Sequence, residues 1–189
     1  MKKNQNGVTL IALAVTIIVM LILAGVTMAT LTGENGIITQ ARRTAAANTE
    51  GTVKEKMTSA YNSVIFQINM DRAGNEALNA QTEKIQTYLD VIAESIGESD
   101  TLVNKNTVAT EPTVDSVKTT LANSGKHYLT YIIGNKIYID YYDTTFCLTA
   151  ATNKGTKANG KNQYPMLRAY FTLTVNEVSP LSGPITSAL

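Results

Sequence analysis

The chain opens with a long apolar segment. Residues Val8 to Leu31 are almost all apolar, and no charged residue lies between Lys3 and Glu34. A helix of 24 residues is about 36 Å long, which exceeds the roughly 30 Å hydrocarbon core of a bilayer. The pattern therefore predicts one N-terminal helix that is long enough to cross a membrane.

Beyond this segment the apolar residues take the spacing of helices with one buried face. They recur every three or four positions from Ile37 to about Met70, and again over Asn75–Ile96. The first face carries Val53, Met57, Ala60, Tyr61, Val64 and Ile68, and the second carries Leu78, Ile85, Leu89, Ile92 and Ile96. A short helix is predicted from Asp115 to about Asn123, ending at Gly125.

From Tyr128 onward the pattern changes to that of strands. Tyr128–Ile133 and Lys136–Tyr142 flank Gly134-Asn135, and Gly in the first turn position suits a two-residue type II′ hairpin. Thr144–Thr149 is predicted as a further strand. Leu167–Asn176 alternates most clearly, and its predicted buried face consists of Leu167, Ala169, Phe171, Leu173 and Val175.

The start of the apolar segment carries a second signal. A short leader with two lysines ends at Gly7, and the next residues are Val8-Thr9-Leu10-Ile11. This junction resembles the prepilin peptidase site of type IV pilins, in which Gly precedes a hydrophobic residue and then Thr-Leu-Ile-Glu. The resemblance covers about residues 1–36. Two alternatives remain open, namely a plain membrane anchor and a secretory signal cleaved after Ala29.

The resemblance implies a domain plan and a life cycle. Residues 1–7 would be a leader removed by prepilin peptidase between Gly7 and Val8, followed by methylation of the new amine. Residues 8–35 would be a transmembrane helix that later forms the filament core, and 36–189 an extracellular α+β head with an antiparallel sheet. The implied partners are the membrane, an assembly platform with its motor, and further copies of the chain. The implied core residues are Val8, Leu10, Ile11, Ala12, Val15, Val19, Leu23 and Gly25.

Two features depart from the usual pilin pattern. Ala12 stands where the family usually has Glu, which removes a potential ion pair between subunits. Cys147 is the only cysteine, so the chain cannot form the internal disulfide found in many pilins of diderm bacteria. Both features favour a variant like those of Gram-positive bacteria, and Ala12 leaves a minor-subunit role open.

Charge suggests an orientation and one candidate surface. Lys2 and Lys3 precede the apolar segment, so the positive-inside rule places the N-terminus in the cytoplasm and the head outside. The stretch Thr144–Asn176 has no acidic residue and four basic ones: Lys154, Lys157, Lys161 and Arg168. It is interpreted either as a hydrated connection between strands or as a surface that binds polyanions such as DNA or cell-wall polymers.

The remaining candidate chemistry is sparse. His127 and Cys147 could form a catalytic pair, but a partly exposed histidine and a core cysteine are the favoured interpretation. Zinc spacing, a P-loop, a GxSxG motif and a calcium loop are all lacking, so neither a metal nor a cofactor is predicted. Six tyrosines of the strand region could stack on ligands or cover the sheet with their hydroxyls in water: Tyr128, Tyr131, Tyr138, Tyr141, Tyr142 and Tyr170.

Together these observations predict a non-enzymatic subunit of a type IV pilus-like filament. One alternative within the same family is a minor pilin or pseudopilin of a competence or secretion system. Another, from a different class, is a membrane-anchored surface binding domain that does not polymerise.

Overall fold

The structure is a computed structural model that describes residues 6–32, 36–73, 81–143, 166–174 and 177–187. The chain divides into two compact units, Met1–Ala45 and Ala46–Leu189. The first unit contains helix α1, Asn6–Thr32, and the first residues of helix α2, Ile37–Ala73. Helix α1 continues through Gly25, and its stretch Leu10–Met28 is long and apolar enough to cross a membrane.

The helices of the second unit follow the predicted apolar spacing. Five of the six predicted residues on α2 are buried, and Tyr61 is half-buried. Helix α3, Gln81–Ile96, buries the predicted Ile85, Leu89, Ile92 and Ile96, whereas Leu78 and the predicted start at Asn75 lie outside the described residues. Helix α4, Val114–Ser124, is capped by the Thr113 side chain and ends at Gly125, which has a left-handed φ of 66°.

Five strands form one sheet in the order β1-β2-β3-β4-β5. They are β1 (Thr101–Thr107), β2 (Tyr128–Ile133), β3 (Lys136–Tyr141), β4 (Met166–Thr172) and β5 (Ser182–Ser187). The predicted hairpin is confirmed as β2 and β3, with Gly134 at a φ of 59° in the turn. The predicted strand Thr144–Thr149 lies outside the described residues.

The prediction of an antiparallel sheet is wrong at one edge, because β1 runs parallel to β2 and the sheet is mixed. In the chain, helix α4 lies between β1 and β2. The segment that contains α4 brings the chain back to the end of the sheet at which β1 began, so β2 starts beside the start of β1. A crossover of this kind is what makes neighbouring strands parallel. The other three strand pairs are antiparallel, as expected.

Both faces of the sheet carry a hydrophobic cluster. The first cluster joins α2 and α3 to strand residues that include Leu167, Ala169 and Phe171. The ring of Phe171 meets the ring of Tyr61 edge-on at 5.2 Å, so the predicted inward face is confirmed from Leu167 to Leu173. Strand β4 ends at Thr172, and the predicted residues Val175 and Asn176 lie outside the described residues. The second cluster lies on the opposite face and packs Val117 and Leu121 of α4 against Leu129, Tyr131, Tyr138, Tyr142 and Met166.

The two clusters together change the interpretation of the tyrosines. Five of the six are at most 6% exposed, and only Tyr170 is half-buried. They are therefore core residues rather than a water-facing cover. Sequence alternation alone did not indicate that helix α4 would cover the second face of the sheet.

Candidate functional site

The described surface of α1 is apolar and exposed. Leu10, Ile11, Val15, Val19 and Leu23 expose between 47% and 71% of their surface. Every residue from Leu10 to Met28 is exposed, including Ala12 and Gly25. An uncovered apolar surface of this extent calls for lipid or for other apolar helices as its surroundings.

Three threonine side chains of this helix bond to its own backbone. The hydroxyls of Thr16, Thr27 and Thr30 donate to carbonyl oxygens three or four residues earlier, at 2.8–3.0 Å. A hydroxyl that is bonded within its own helix needs no outside partner, which lowers the free-energy cost of placing it in hydrocarbon. The helix is therefore suited to an apolar environment even at these three threonines.

The predicted processing junction lies in the first turn of α1, because the helix starts at Asn6 and includes Gly7 and Val8. Residues 1–5 of the leader lie outside the described residues. The predicted cleavage and methylation stay predictions.

Arg168 requires a correction. The sequence grouped it with the loop lysines as a polyanion contact, but its side chain is nine-tenths buried on the α4 face of β4. Its Nε and Nη2 donate to the two oxygens of Asp140 on β3, each at 2.7 Å. Its Nη1 donates to Glu111, and its Nη2 also donates to the Pro112 carbonyl. Since these internal partners engage all three nitrogens, Arg168 does not belong to a polyanion-binding surface.

The partner of Arg168 is the most buried charge of the described chain. Asp140 is 0% exposed and also accepts a hydrogen bond from the Tyr131 hydroxyl at 3.0 Å. Burial raises the pKa of the Asp140 carboxyl above its usual range, and the hydrogen bonds from Arg168 oppose that shift. The same bonds raise the pKa of Arg168 despite its own burial. The group joins three neighbouring strands to the segment that precedes α4.

Of the other candidate residues predicted from sequence, the structure describes His127 but not the three loop lysines or Cys147. Lys154, Lys157, Lys161 and Cys147 lie outside the described residues, so the polyanion surface stays a prediction for the three lysines. His127 is half-exposed, as expected, and its Nδ1 donates to Asp100 at 2.6 Å. In the described ranges no three His, Cys, Asp or Glu side chains are grouped as metal ligands.

Sequence reasoning missed the ion-pair cluster for an identifiable reason. Asp140 is the only acidic residue of β3, Arg168 is the only charged residue of β4, and each shares its face with tyrosines. Their direct opposition depends on the β3–β4 register, which the sequence did not specify. A lone acid and a lone base on neighbouring strands are the signal that could have indicated the pair.

No protein-family model, curated protein or solved structure matches this chain.

Proposed function

We propose that this chain is the subunit of a type IV pilus-like filament, stored in the membrane by α1 and later packed through α1 with further copies. The observation that carries the proposal is the exposed, uncharged surface of Leu10–Met28, which follows the Gly7–Val8 junction almost directly. A subunit whose helix first spans lipid and then a protein bundle needs such a surface in both states.

The energetics of this surface favour burial in either state. Removing one Val, Leu or Ile side chain from water contributes about 1.5–3 kcal/mol, and α1 exposes more than ten such residues. In the membrane these side chains are already out of water. The transfer of α1 from lipid to a bundle of helices must therefore be driven by close packing between the helices. Ala24 and Gly25 are small, and residues of that size let helices approach closely.

The edges of the sheet support assembly through α1 rather than through strand addition. Strand β1 carries Lys105, and its register with β2 shifts between Val103 and Thr107. Strand β5 carries Pro184, which has no N–H to donate, and its own register with β4 shifts near Ala169. Lysine, proline and irregular register all disfavour pairing with another strand. We therefore expect the unit Ala46–Leu189 to be monomeric when it is separated from α1.

A charge within α1 tests the proposal. Leu23→Lys places an ammonium near the middle of the apolar stretch, at a cost of about 2.5–3.5 kcal/mol even before packing. We expect this variant to remain in the membrane fraction, because the rest of the helix is apolar, but to form no filaments. Leu23→Met is the matched control, since it keeps the size and apolarity of the side chain.

The readout is material sheared from the surface of cells that produce the chain. Mass spectrometry of the parent and of Leu23→Met should find this chain as the main filament component. A trace amount would point to a minor subunit, and its absence to an anchored domain that does not polymerise. Filaments of normal yield from Leu23→Lys would contradict the proposed role of α1.

A further inference from the structure

A polar cavity of about 340 Å³ lies between the early part of α2 and one end of the sheet. Helix α2 contributes Asn48, Thr52 and Lys56 to its lining, and the sheet side contributes Asp100, His127 and Asp143. All of these residues belong to the unit Ala46–Leu189. The volume falls at the lower end of the range for small-molecule sites.

Backbone hydrogen bonds hold the sheet side of this cavity in place. The carbonyl of Asp100 accepts from the amides of His127 and Tyr128, and the amide of Asp100 donates to Gly97. The carbonyl of His127 accepts from the amide of Tyr142. The His127–Asp100 side-chain pair therefore sits on a fixed frame, as a preformed binding site requires.

The side chains of the cavity supply both hydrogen-bond donors and acceptors. Asp100 and Asp143 offer carboxylate oxygens, and Asn48 offers an amide that can donate and accept. His127 uses Nδ1 on Asp100, which leaves Nε2 as an acceptor while the ring is neutral. The rings of Tyr128 and Tyr141 also line the cavity, with centroids 4.9 Å apart.

The charges around the cavity are of both signs, so an ion of either sign meets at least one like charge. An anion meets the carboxylates of Asp100 and Asp143, and a cation meets the Lys56 ammonium, which lies 5.6 Å from the centre of the Tyr128 ring. A neutral ligand with many hydroxyls meets no such repulsion. Each hydroxyl can donate to a carboxylate and accept from an amide or ammonium.

We propose that this cavity binds one unit of a neutral saccharide. The proposal does not depend on filament formation, because every lining residue belongs to a single head. A ligand of this size in an open, polar site is expected to bind with a millimolar dissociation constant.

The single histidine provides a specific probe, because His127 is the only one in the chain. The full chain is solubilised in a detergent without a sugar headgroup, and the His127 imidazole C–H signals are followed by NMR. Glucose, galactose, N-acetylglucosamine and N-acetylgalactosamine are titrated separately, with inorganic phosphate and tetramethylammonium as charged comparisons. At least one sugar should shift the signals to saturation, and neither ion should do so.

Two threonines of α2 give a matched pair of variants. Both are exposed, and each hydroxyl donates to the carbonyl four residues earlier, Thr52 at 3.0 Å and Thr58 at 2.8 Å. Only Thr52 lines the cavity. Thr52→Trp should block the cavity and abolish the sugar-induced shift, whereas Thr58→Trp should leave it intact. Asp100→Asn should weaken binding at least about tenfold, as measured by saturation transfer to the sugar, because a charged acceptor is lost.

Three results would overturn the proposal. The first is that no sugar of the panel shifts the His127 signals. The second is that Thr52→Trp and Thr58→Trp bind sugar equally well, which would place the site elsewhere. The third is a saturable shift with phosphate or tetramethylammonium in place of sugar, which would assign the cavity to an ion.

Discussion

The effect of Arg168→Met on the free energy of unfolding distinguishes a buried structural arginine from a surface arginine. Methionine keeps much of the length of the arginine side chain but removes its charge and all of its donors. The buried carboxylate of Asp140 would keep only the hydrogen bond from Tyr131, since both 2.7 Å bonds from Arg168 are lost. Removing one partner of a buried ion pair costs about 3–5 kcal/mol, because the other charge stays buried and uncompensated.

A surface arginine would behave differently. Exposed substitutions away from special features change the free energy of unfolding by about 0.5 kcal/mol or less. Lys105→Met provides a matched control, because Lys105 also lies 2.7 Å from a carboxylate, that of Asp90, but both side chains are about half exposed. Its loss should cost less than about 1 kcal/mol.

The double variant Asp140→Leu with Arg168→Met adds a second test. It removes the uncompensated charge, so the main part of the penalty should disappear. The Tyr131 hydroxyl then loses its acceptor, which costs about 1–3 kcal/mol. We therefore expect the double variant to be more stable than Arg168→Met alone.

The assay is urea unfolding of the fragment Ala46–Leu189, followed by circular dichroism. This fragment contains every buried hydrophobic residue of the described chain, and a domain of its size has a total stability of about 5–15 kcal/mol. A loss below about 1 kcal/mol for Arg168→Met, or a double variant that is no more stable than Arg168→Met alone, would refute the interpretation of Arg168 and Asp140 as a buried ion pair.

Three further predictions concern the core, the tyrosines and processing. Phe171→Ala should lower the free energy of unfolding of the same fragment by about 3–5 kcal/mol in urea, and Thr172→Ala should lower it far less, because Phe171 is buried against Tyr61. Equal small losses for the two variants would show that Phe171 does not face the core. Burial raises the pKa of three phenols by a large amount, so only the unfolded chain ionises these three near pH 10. The free energy of unfolding should then fall above pH 10 by up to about 1.4 kcal/mol per pH unit for each phenol, whereas an unchanged urea midpoint near pH 11 would contradict this. These phenols are Tyr128, Tyr131 and Tyr141. N-terminal sequencing of exported protein should begin at methylated Val8, and a large side chain at Gly7 should prevent it, whereas a start at Met1 or Thr30 would argue against this processing.

The sequence predicted elements best where one apolar face repeats over several turns or residues. Helix α2, the later part of α3 and the β2–β3 hairpin carry such repeats, and each was confirmed. Strand β1 was missed because its sequence, Thr-Leu-Val-Asn-Lys-Asn-Thr, is mostly polar. Its last three residues are exposed, so they show no buried apolar face. Strand β5 was missed because Gly and Pro interrupt it, and both residues are uncommon within strands.

The candidate sites depended on pairings that periodicity does not encode. Arg168 and Asp140 are 28 residues apart and meet only because β3 and β4 pair in one register. The polar cavity combines residues from α2, from the segment before β1 and from both ends of the β2–β3 hairpin. The apolar surface of α1, in contrast, was evident from sequence, because a continuous apolar segment needs no long-range pairing to be recognised.

Electron cryomicroscopy of filaments sheared from cells that produce this chain would show whether α1 forms their core. We expect a helical array whose density fits this sequence, with the α1 helices of successive copies packed together along the filament axis and the chain beginning at Val8. Filaments built from another protein, or copies of this chain joined through their heads with α1 outside the core, would contradict this expectation.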